Sequence, residues 1–327
     1  MPRPVCITYD STCDLTPQLL ERFHIRTIPL TIQSGGRVFP DDGNYTSAEL
    51  YTDYRRNGTL PKTTAISPEA FKAFFSPLLA EGYDIVHIDI SSELSCTCQN
   101  AVLAAQELTG QGQIHVVDSR QLSTGGGLLA LQGAKLRDSG MTAADIAAEL
   151  RRLTPCSDTS FVLDTLEFMW KGGRCSGVTA LGANMLKLKP CLEMREGKLA
   201  VCKKYRGAME KVYRQYITER LADKTVVADY AFITHSGEVA ENTLQELTKL
   251  VRELAPFQEV FVTQAGCTVS SHCGPGTLGV LFLRQPEQEQ AAHQLCTHVR
   301  TRSGTHPNTR RHFSLHSCSV QSGCAAI

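Results

Sequence analysis

The chain has 327 residues, 42% of them hydrophobic, and its 33 basic side chains balance 33 acidic ones. A net charge of zero gives no general attraction to nucleic acid or to an anionic membrane surface. No stretch reaches the roughly 18 apolar residues of a transmembrane helix, and the opening segment MPRPVCITYDSTCDL has no apolar run of signal-peptide length. We therefore expect a cytoplasmic protein with no integral membrane segment, long enough for two domains.

The cysteines form no pattern that predicts disulfides or a metal site. There are 13 of them, an odd number, whereas disulfide frameworks are typical of short secreted chains. Cys96 and Cys98 form a close pair, but no second pair follows at zinc-finger spacing. We expect most of the thiols to be small buried hydrophobes, and we expect neither a metal nor a cofactor.

In the first half of the chain, short apolar strands alternate with helical patterns. The predicted strands are VCITYD, IRTIPLTI (read as one strand), YDIVHIDI and IHVVDS, with a hairpin turn at SGGRVF. The predicted helices are TPQLLERF, TSAELYTDYRR, SPEAFKAFFSPLLAE, residues 95–109, GGGLLALQGAKLRDSG and MTAADIAAELRRL. This alternation predicts an α/β domain over residues 1–155, with a doubly wound, mostly parallel sheet.

Near Thr154-Pro155 the alternation pauses, and a second α/β domain is predicted over residues 156–285. Its predicted strands are TSFVLD, the hairpin LKPCLEMREGKLAVCKKY, VVADYAFITH, FQEVFVTQ and LGVLFL. Its predicted helices are TLEFMWKGG, the segment around VTALGANML, GAMEKVYRQYITERL and ENTLQELTKLVREL. Residues 286–327 have no apolar period and many polar breakers, which is typical of a disordered or loosely docked tail.

Short polar residues follow several predicted strands of the first domain. Thr63 and Thr64 precede one helix, and Ser95 lies at or just before the start of another. Ligands collect at the carboxyl ends of parallel strands, and helix amino termini there favour an anion. Each residue alone is more often a simple N-cap, so it is their recurrence at successive strand ends that favours a binding site.

The second domain adds one candidate arginine and one candidate histidine. Arg174 lies in the segment KGGRCSG, where flanking glycines allow a tight turn that projects a charged side chain. His272 precedes Gly274-Pro275-Gly276, a rigid turn that can fix the direction of its imidazole. A solvated loop arginine and a structural histidine remain the alternatives at these two positions.

Six segments, in order along the chain, carry a resemblance to a known family. They are ITYDSTCDL, KTTAISPEAF, ISSELSCTCQNA, VVDSRQLSTGGGLLA, LEFMWKGGRCSG and HCGPGTLGVLF. Together they resemble the landmarks of the DegV family over roughly residues 6–283. The resemblance implies two α/β domains with a long-chain fatty acid held in a cavity between them.

The resemblance also implies a role for particular residues. Carboxylate contacts would fall on Thr63, Ser95 and His272, with Thr64 and Cys96 beside them in the ligand site. In bacterial fatty acid kinases, the related subunit presents the acyl carboxylate to a separate ATP-binding subunit, so this chain alone would not be catalytic. Two residues match positions implicated in docking or phosphotransfer with that kinase subunit, namely Arg174 and Arg206.

Cys96 departs from the usual family pattern, which has glycine after the carboxylate-binding serine. We expect the thiol to crowd the approach of the acyl headgroup to the backbone at this point.

Three other functions remain alternatives. Ser95, Asp118 and His272 follow the chain order of an α/β-hydrolase triad, although the segment lacks the G-x-S-x-G elbow of those enzymes. A stand-alone kinase is disfavoured because the glycine run at 125–127 lacks the Lys-Ser/Thr of a phosphate-binding loop. These glycines instead predict close packing of a helix against the sheet. A regulatory or scaffold protein without bound lipid stays open.

Overall fold

The structure is a computed structural model that describes residues 3–110, 112–176, 188–222 and 225–286. Its first sheet consists of four parallel strands. The strand order is β2-β1-β6-β7, built from Ile25–Ile28, Val5–Asp10, Asp84–Asp89 and Ile114–Asp118. Strands β1 and β6 are almost wholly buried. Their continuous apolar character is what a parallel sheet covered on both faces requires.

Helices cover both faces of this sheet, as the sequence predicted. On one face α3 (Pro68–Ala80) and α4 (Thr97–Glu107) pack their apolar side chains against the strands. On the other face lie α5 (Thr124–Asp138) and α6 (Ala143–Leu153). The first half of the chain is therefore a doubly wound α/β layer.

The glycine run that opens α5 permits the close packing that the sequence predicted. A Cβ on Gly125 would overlap the hydroxyl of Thr159, and a Cβ on Gly126 would overlap the hydroxyl of Tyr9. Tyr9 belongs to the first sheet and Thr159 to the second. Helix α5 can therefore lie directly between the two sheets only because its first turn lacks side chains.

The prediction of one strand across IRTIPLTI is wrong. The segment forms β2 in the first sheet and then β3 (Thr31–Ser34) in a separate antiparallel sheet. The other strands of that sheet are β4 (Arg37–Pro40) and β5 (Lys62–Thr64), in the order β4-β3-β5. Pro29 lies between them and cannot donate a backbone hydrogen bond, so the pairing with β1 stops at Ile28. The predicted hairpin is confirmed: β4 (Arg37–Pro40) follows a turn at Gly35-Gly36, both with positive φ.

The second sheet has six strands in the order β10-β9-β8-β13-β11-β12. These strands are β8 Ser157–Val162, β9 Leu188–Arg195, β10 Lys198–Arg206, β11 Val226–His235, β12 Glu259–Gln264 and β13 Leu278–Arg284. Only the β11–β12 pair is parallel, and the other neighbours in this sheet are antiparallel. The predicted second α/β layer is therefore present as a mixed sheet.

One further strand and six further α-helices belong to the described part of the chain. They are β5 Lys62–Thr64 and the helices α1 Pro17–Arg22, α2 Ser47–Asn57, α7 Glu167–Gly172, α8 Met209–Leu221, α9 Glu241–Leu254 and α10 Cys267–Cys273. Thr16 and Ser67 accept the expected N-cap hydrogen bonds from Leu19 N and Ala70 N. The sequence did not predict α10.

Two predictions lie outside the described residues: the helix around VTALGANML and the tail at 286–327, apart from Pro286 itself. Within the described ranges, no helix combines the length and the apolar character that a membrane span requires. Of the described cysteines, all of them free thiols, most are buried, and Cys96 is the exposed one. The division at residue 155 stays a prediction.

Candidate functional site

A cavity of about 530 Å³ is lined by residues from both halves of the chain. This volume lies within the roughly 300–1,000 Å³ that small-molecule sites occupy. Its wall is mostly aliphatic, and the apolar lining consists of Leu30, Ala65, Pro68, Ile90, Leu94, Leu122, Met169, Leu199, Val269 and Cys273. Its polar lining consists of Thr63, Thr64, Ser67, Ser95, Cys96, Asn100, Arg174, Thr268 and His272. The cavity can therefore hold an apolar body that carries one polar group.

Thr63 and His272 meet in this cavity although they are 209 residues apart in sequence. Thr63 Oγ1 lies 3.0 Å from His272 Nε2, and the tautomer of the ring decides which atom donates. Thr63 reaches this place on β5, which pairs with β3. His272 lies on the last turn of α10, four residues after Thr268, so both side chains face the cavity.

The surroundings of His272 favour its neutral form. Burial, and to a smaller extent the charge of Arg174, lower the pKa of His272 to about 4. Its second ring nitrogen, Nδ1, is buried and has no hydrogen-bond partner among the described residues. Nδ1 faces Gly172, where an added Cβ would lie only 2.6 Å away. The imidazole is thus held between a hydroxyl on one side and a glycine on the other.

The three serines that follow β6 have three different roles. Ser91 is buried and donates a hydrogen bond of 2.7 Å to Gly197 O, at the β9–β10 turn. Ser92 donates a hydrogen bond of 2.6 Å to Asp118 Oδ2. Ser95 lines the cavity, where its Oγ lies 2.8 Å from Thr97 Oγ1 and accepts from Thr97 N at 3.2 Å. Ser95 therefore accepts from the first backbone N–H of α4 (Thr97–Glu107) and is also a ligand candidate.

Cys96 and Thr64 lie at the exposed side of the cavity lining. Cys96 is the N-cap residue of α4 with φ −77°, a conformation open to any residue, so the position makes no backbone demand for glycine. Its side chain is part of the cavity lining, and the crowding of a headgroup by this thiol stays a prediction. Thr64 ends β5 opposite Thr31.

The two candidate arginines lie in different places. Arg174 is exposed, lines the cavity, and donates from Nη1 to Gly172 O at 2.7 Å. Arg206 is the last residue of β10, also exposed, and is not part of the cavity lining. Of these two arginines, Arg174 is the one that the structure brings together with His272.

The catalytic triad of the hydrolase alternative is not assembled. Asp118 accepts hydrogen bonds from Ser92 Oγ at 2.6 Å and from Arg120 N at 2.8 Å, and neither ring nitrogen of His272 contacts it. Ser95 Oγ has Thr97 as its side-chain partner rather than a histidine. A nucleophilic serine needs a base within hydrogen-bond reach that a third group orients. The hydrolase interpretation therefore has no support.

The aspartates that hold α10 in place were not among the predicted site residues. Asp41 accepts from Cys267 N at 2.8 Å and from Thr268 N at 3.1 Å, while Asp14 accepts from Gly266 N at 2.8 Å. The apolar and capping patterns of a short segment do not indicate hydrogen bonds between residues so distant in sequence. The glycines on either side of CTVSSHC were the available signal for a short helix.

Known proteins share this architecture along nearly the whole described chain. Residues 4–285 match the profile described as "Uncharacterised protein, DegV family". The chain belongs to the DegV family.

One DegV relative, a DegV domain-containing protein of Caldanaerobacter subterraneus, is 29% identical over 282 residues, covering 85% of this chain and 98% of that protein. Two solved DegV structures are similar as well. A Thermus thermophilus protein, described by its fatty acid binding, is 31% identical with a TM-score of 0.77, over 86% of this chain and 99% of that one. A Ruminococcus gnavus protein, described with vaccenic acid, is 25% identical with a TM-score of 0.77, over 85% and 99%. The predicted family and fold class are thereby confirmed.

Proposed function

We propose that this chain binds a long-chain fatty acid in the cavity, with the carboxylate at Thr63, Ser95 and His272. The observation that carries the proposal is an aliphatic cavity of about 530 Å³ with these three polar groups in its lining. The fatty acids described with the Thermus and Ruminococcus relatives support it.

The apolar lining can retain an alkyl tail through the hydrophobic effect alone. Each buried methylene contributes about 0.8 kcal/mol, so ten of them contribute about 8 kcal/mol before the cost of ordering the chain. That cost amounts to several kcal/mol, and tails with more buried methylenes retain a larger surplus. The headgroup contacts are then needed to orient the acid rather than to supply most of its affinity.

The carboxylate must be compensated by donors because burying it alone costs several kcal/mol. The hydroxyls of Thr63 and Ser95 can each donate one hydrogen bond. His272 is neutral at pH 7 in the empty cavity, because burial lowers its pKa to about 4. A carboxylate bound beside the ring would raise that pKa, so we expect the ring to donate a hydrogen bond and to take up a proton as the acid binds.

We further propose that the bound carboxylate is presented to a separate ATP-binding kinase subunit, which forms the acyl phosphate. The resemblance noted in the sequence supports this step, and the exposure of Arg174 at the cavity suits it. The guanidinium of Arg174 could steady developing phosphoryl charge, while Arg206 would contribute to docking. In this proposal the chain is a binding and presenting subunit and does not catalyse the transfer unaided.

Binding is tested by solvent extraction and native mass spectrometry of the purified protein. We expect one long-chain fatty acid per chain in the wild type, and less in Ser95→Ala and Thr63→Val. Ser92→Ala is the matched control, because Ser92 bonds to Asp118 outside the cavity lining. A wild type that holds no lipid, and takes up none when hexadecanoic acid is added, would refute the proposal.

Presentation is tested separately with Arg174→Ala. We expect this variant to retain hexadecanoic acid but to form acyl phosphate more slowly with the kinase subunit and ATP. Loss of retention in the same proportion as the loss of acyl phosphate would contradict this division of roles.

A further inference from the structure

The short helix α10 contributes four residues to the cavity lining: Thr268, Val269, His272 and Cys273. Its sequence, CTVSSHC, has weak helix formers, and its N-cap residue is Gly266, which has no side chain to cap with. A helix of seven residues is far below the length that is stable by itself. Its position must therefore be determined by contacts from outside the helix.

Those contacts come from carboxylates in the first half of the chain. Both oxygens of Asp41 accept from α10, one from Cys267 N at 2.8 Å and the other from Thr268 N at 3.1 Å. Asp14 accepts from Gly266 N at 2.8 Å. Asp41 and Asp14 are both buried, with 6% and 7% of their surface exposed. Hydrogen bonds to acceptors of this kind are stronger where water is excluded than in solution.

Asp41 is itself tied to the cavity wall. Its backbone N donates to Leu30 O at 2.8 Å, and Leu30 lines the cavity. Ser11 Oγ donates to Asp41 Oδ2 at 3.2 Å and accepts from Leu30 N at 3.1 Å. One connected set of hydrogen bonds therefore joins the apolar wall to the first turn of α10.

We propose that Asp41 is a positioning residue for the headgroup site, which fixes α10 and thereby holds the imidazole of His272 against Thr63. The affinity test of this inference rests on the proposed fatty acid binding, whereas the titration of His272 does not. His272 lies one helical turn beyond Thr268, so a tilt of the first turn moves the ring directly. Asp41 is not part of the cavity lining and acts through the helix.

Affinity for hexadecanoic acid tests the proposal through a double-mutant cycle. We expect Asp41→Ala to weaken binding about tenfold in the wild-type background and by less than about threefold in His272→Gln. Asp41→Asn keeps one acceptor and should give an intermediate loss. Asp42→Asn is the matched control, because Asp42 is exposed and accepts hydrogen bonds from the nearby Asn44 rather than from α10. Unchanged affinity in Asp41→Ala, or equal losses in both backgrounds, would overturn the proposal.

The histidine ring gives a readout that needs no fatty acid. We expect NMR titration of His272, assigned with His272→Gln, to show its pKa rising from about 4 toward its ordinary value of 6.5 in Asp41→Ala. If Asp41→Ala does not fold, Asp41→Asn carries the same test with a smaller rise. A titration identical to that of the wild type would refute the positioning role, whether or not lipid binds. If the titration of His272 shifts in Asp41→Ala but the wild type binds no lipid, only the proposed function is refuted.

Discussion

A methyl group added at Gly172 would test how tightly His272 is held. An ideal Cβ at this position would lie 2.6 Å from His272 Nδ1 and 3.5 Å from Cε1. The first distance is well inside van der Waals contact. The ring cannot move away without changing its contact with Thr63 Oγ1, which lies 3.0 Å from Nε2. We therefore expect Gly172→Ala to displace the imidazole and to weaken the binding of hexadecanoic acid.

Two effects of opposite sign determine the change in stability. Overpacking a filled site costs about 1–3 kcal/mol. Replacing glycine by alanine inside a helix recovers at most about 1 kcal/mol, and less here because Gly172 is the last residue of α7. The net loss in free energy of unfolding should thus be roughly 0–2 kcal/mol. In a His272→Ala background the clash is absent, so the same methyl group should be neutral or stabilising.

Urea denaturation of the four proteins of this cycle measures the difference between the two backgrounds, which we expect to be about 1–3 kcal/mol. Lys171→Ala, one residue earlier on the exposed side of the helix, is the control and should leave the affinity for hexadecanoic acid unchanged. If Gly172→Ala lowers the free energy of unfolding equally in the wild-type and His272→Ala backgrounds, the glycine is required for a reason other than contact with the imidazole.

Three further predictions concern pH, thiol reactivity and chain length. The pKa of His272 is lowered from 6.5 to about 4, so between these values the unfolded chain binds a proton that the folded chain does not. The contribution of His272 to the free energy of unfolding should therefore fall as pH drops through this window. Urea titrations at each pH should show it as a change in the difference between the wild type and His272→Gln, because the buried Asp10 and Asp14, with pKa values raised to about 7 and about 8, act in the opposite direction in both proteins. Hexadecanoic acid should slow maleimide labelling of the exposed Cys96, mapped by peptide mass spectrometry, and equal rates would place the headgroup elsewhere. Leu122 lines both the cavity and a void of about 20 Å³, so Leu122→Ala should enlarge the space for the tail and shift the extracted acids toward longer chains. An unchanged chain-length profile would show that the tail does not reach Leu122.

Local pattern was sufficient for most of the elements. Strands such as β1 and β6 are continuous apolar segments, and the helices begin at side-chain caps such as Thr16 and Ser67. The single strand predicted for IRTIPLTI was wrong because the apolar pattern continues through Pro29, whereas the pairing with β1 ends at Ile28. Apolar periodicity indicates that a residue is in a strand, but not which sheet the strand joins.

The candidate site was predictable only in part for a similar reason. The resemblance indicated Thr63, Ser95 and His272, and the structure places all three in one cavity lining. Helix α10 was not predicted because the side chains that accept from its first backbone N–H groups, Asp14 and Asp41, come from the other end of the chain. Its own sequence favours no helix, since serine and β-branched residues compete with helical hydrogen bonding.

The distance in sequence between Thr63 and His272 has a consequence for synthesis. A nascent chain carries Thr63 and Ser95 long before the ribosome adds α10 and β13, which close the cavity and the second sheet. Until those last elements emerge, Thr63 lacks its contact with His272, and the apolar wall is not covered by α10. Premature termination before residue 267 would yield a product that exposes this wall, and such a product is a substrate for chaperones and proteases.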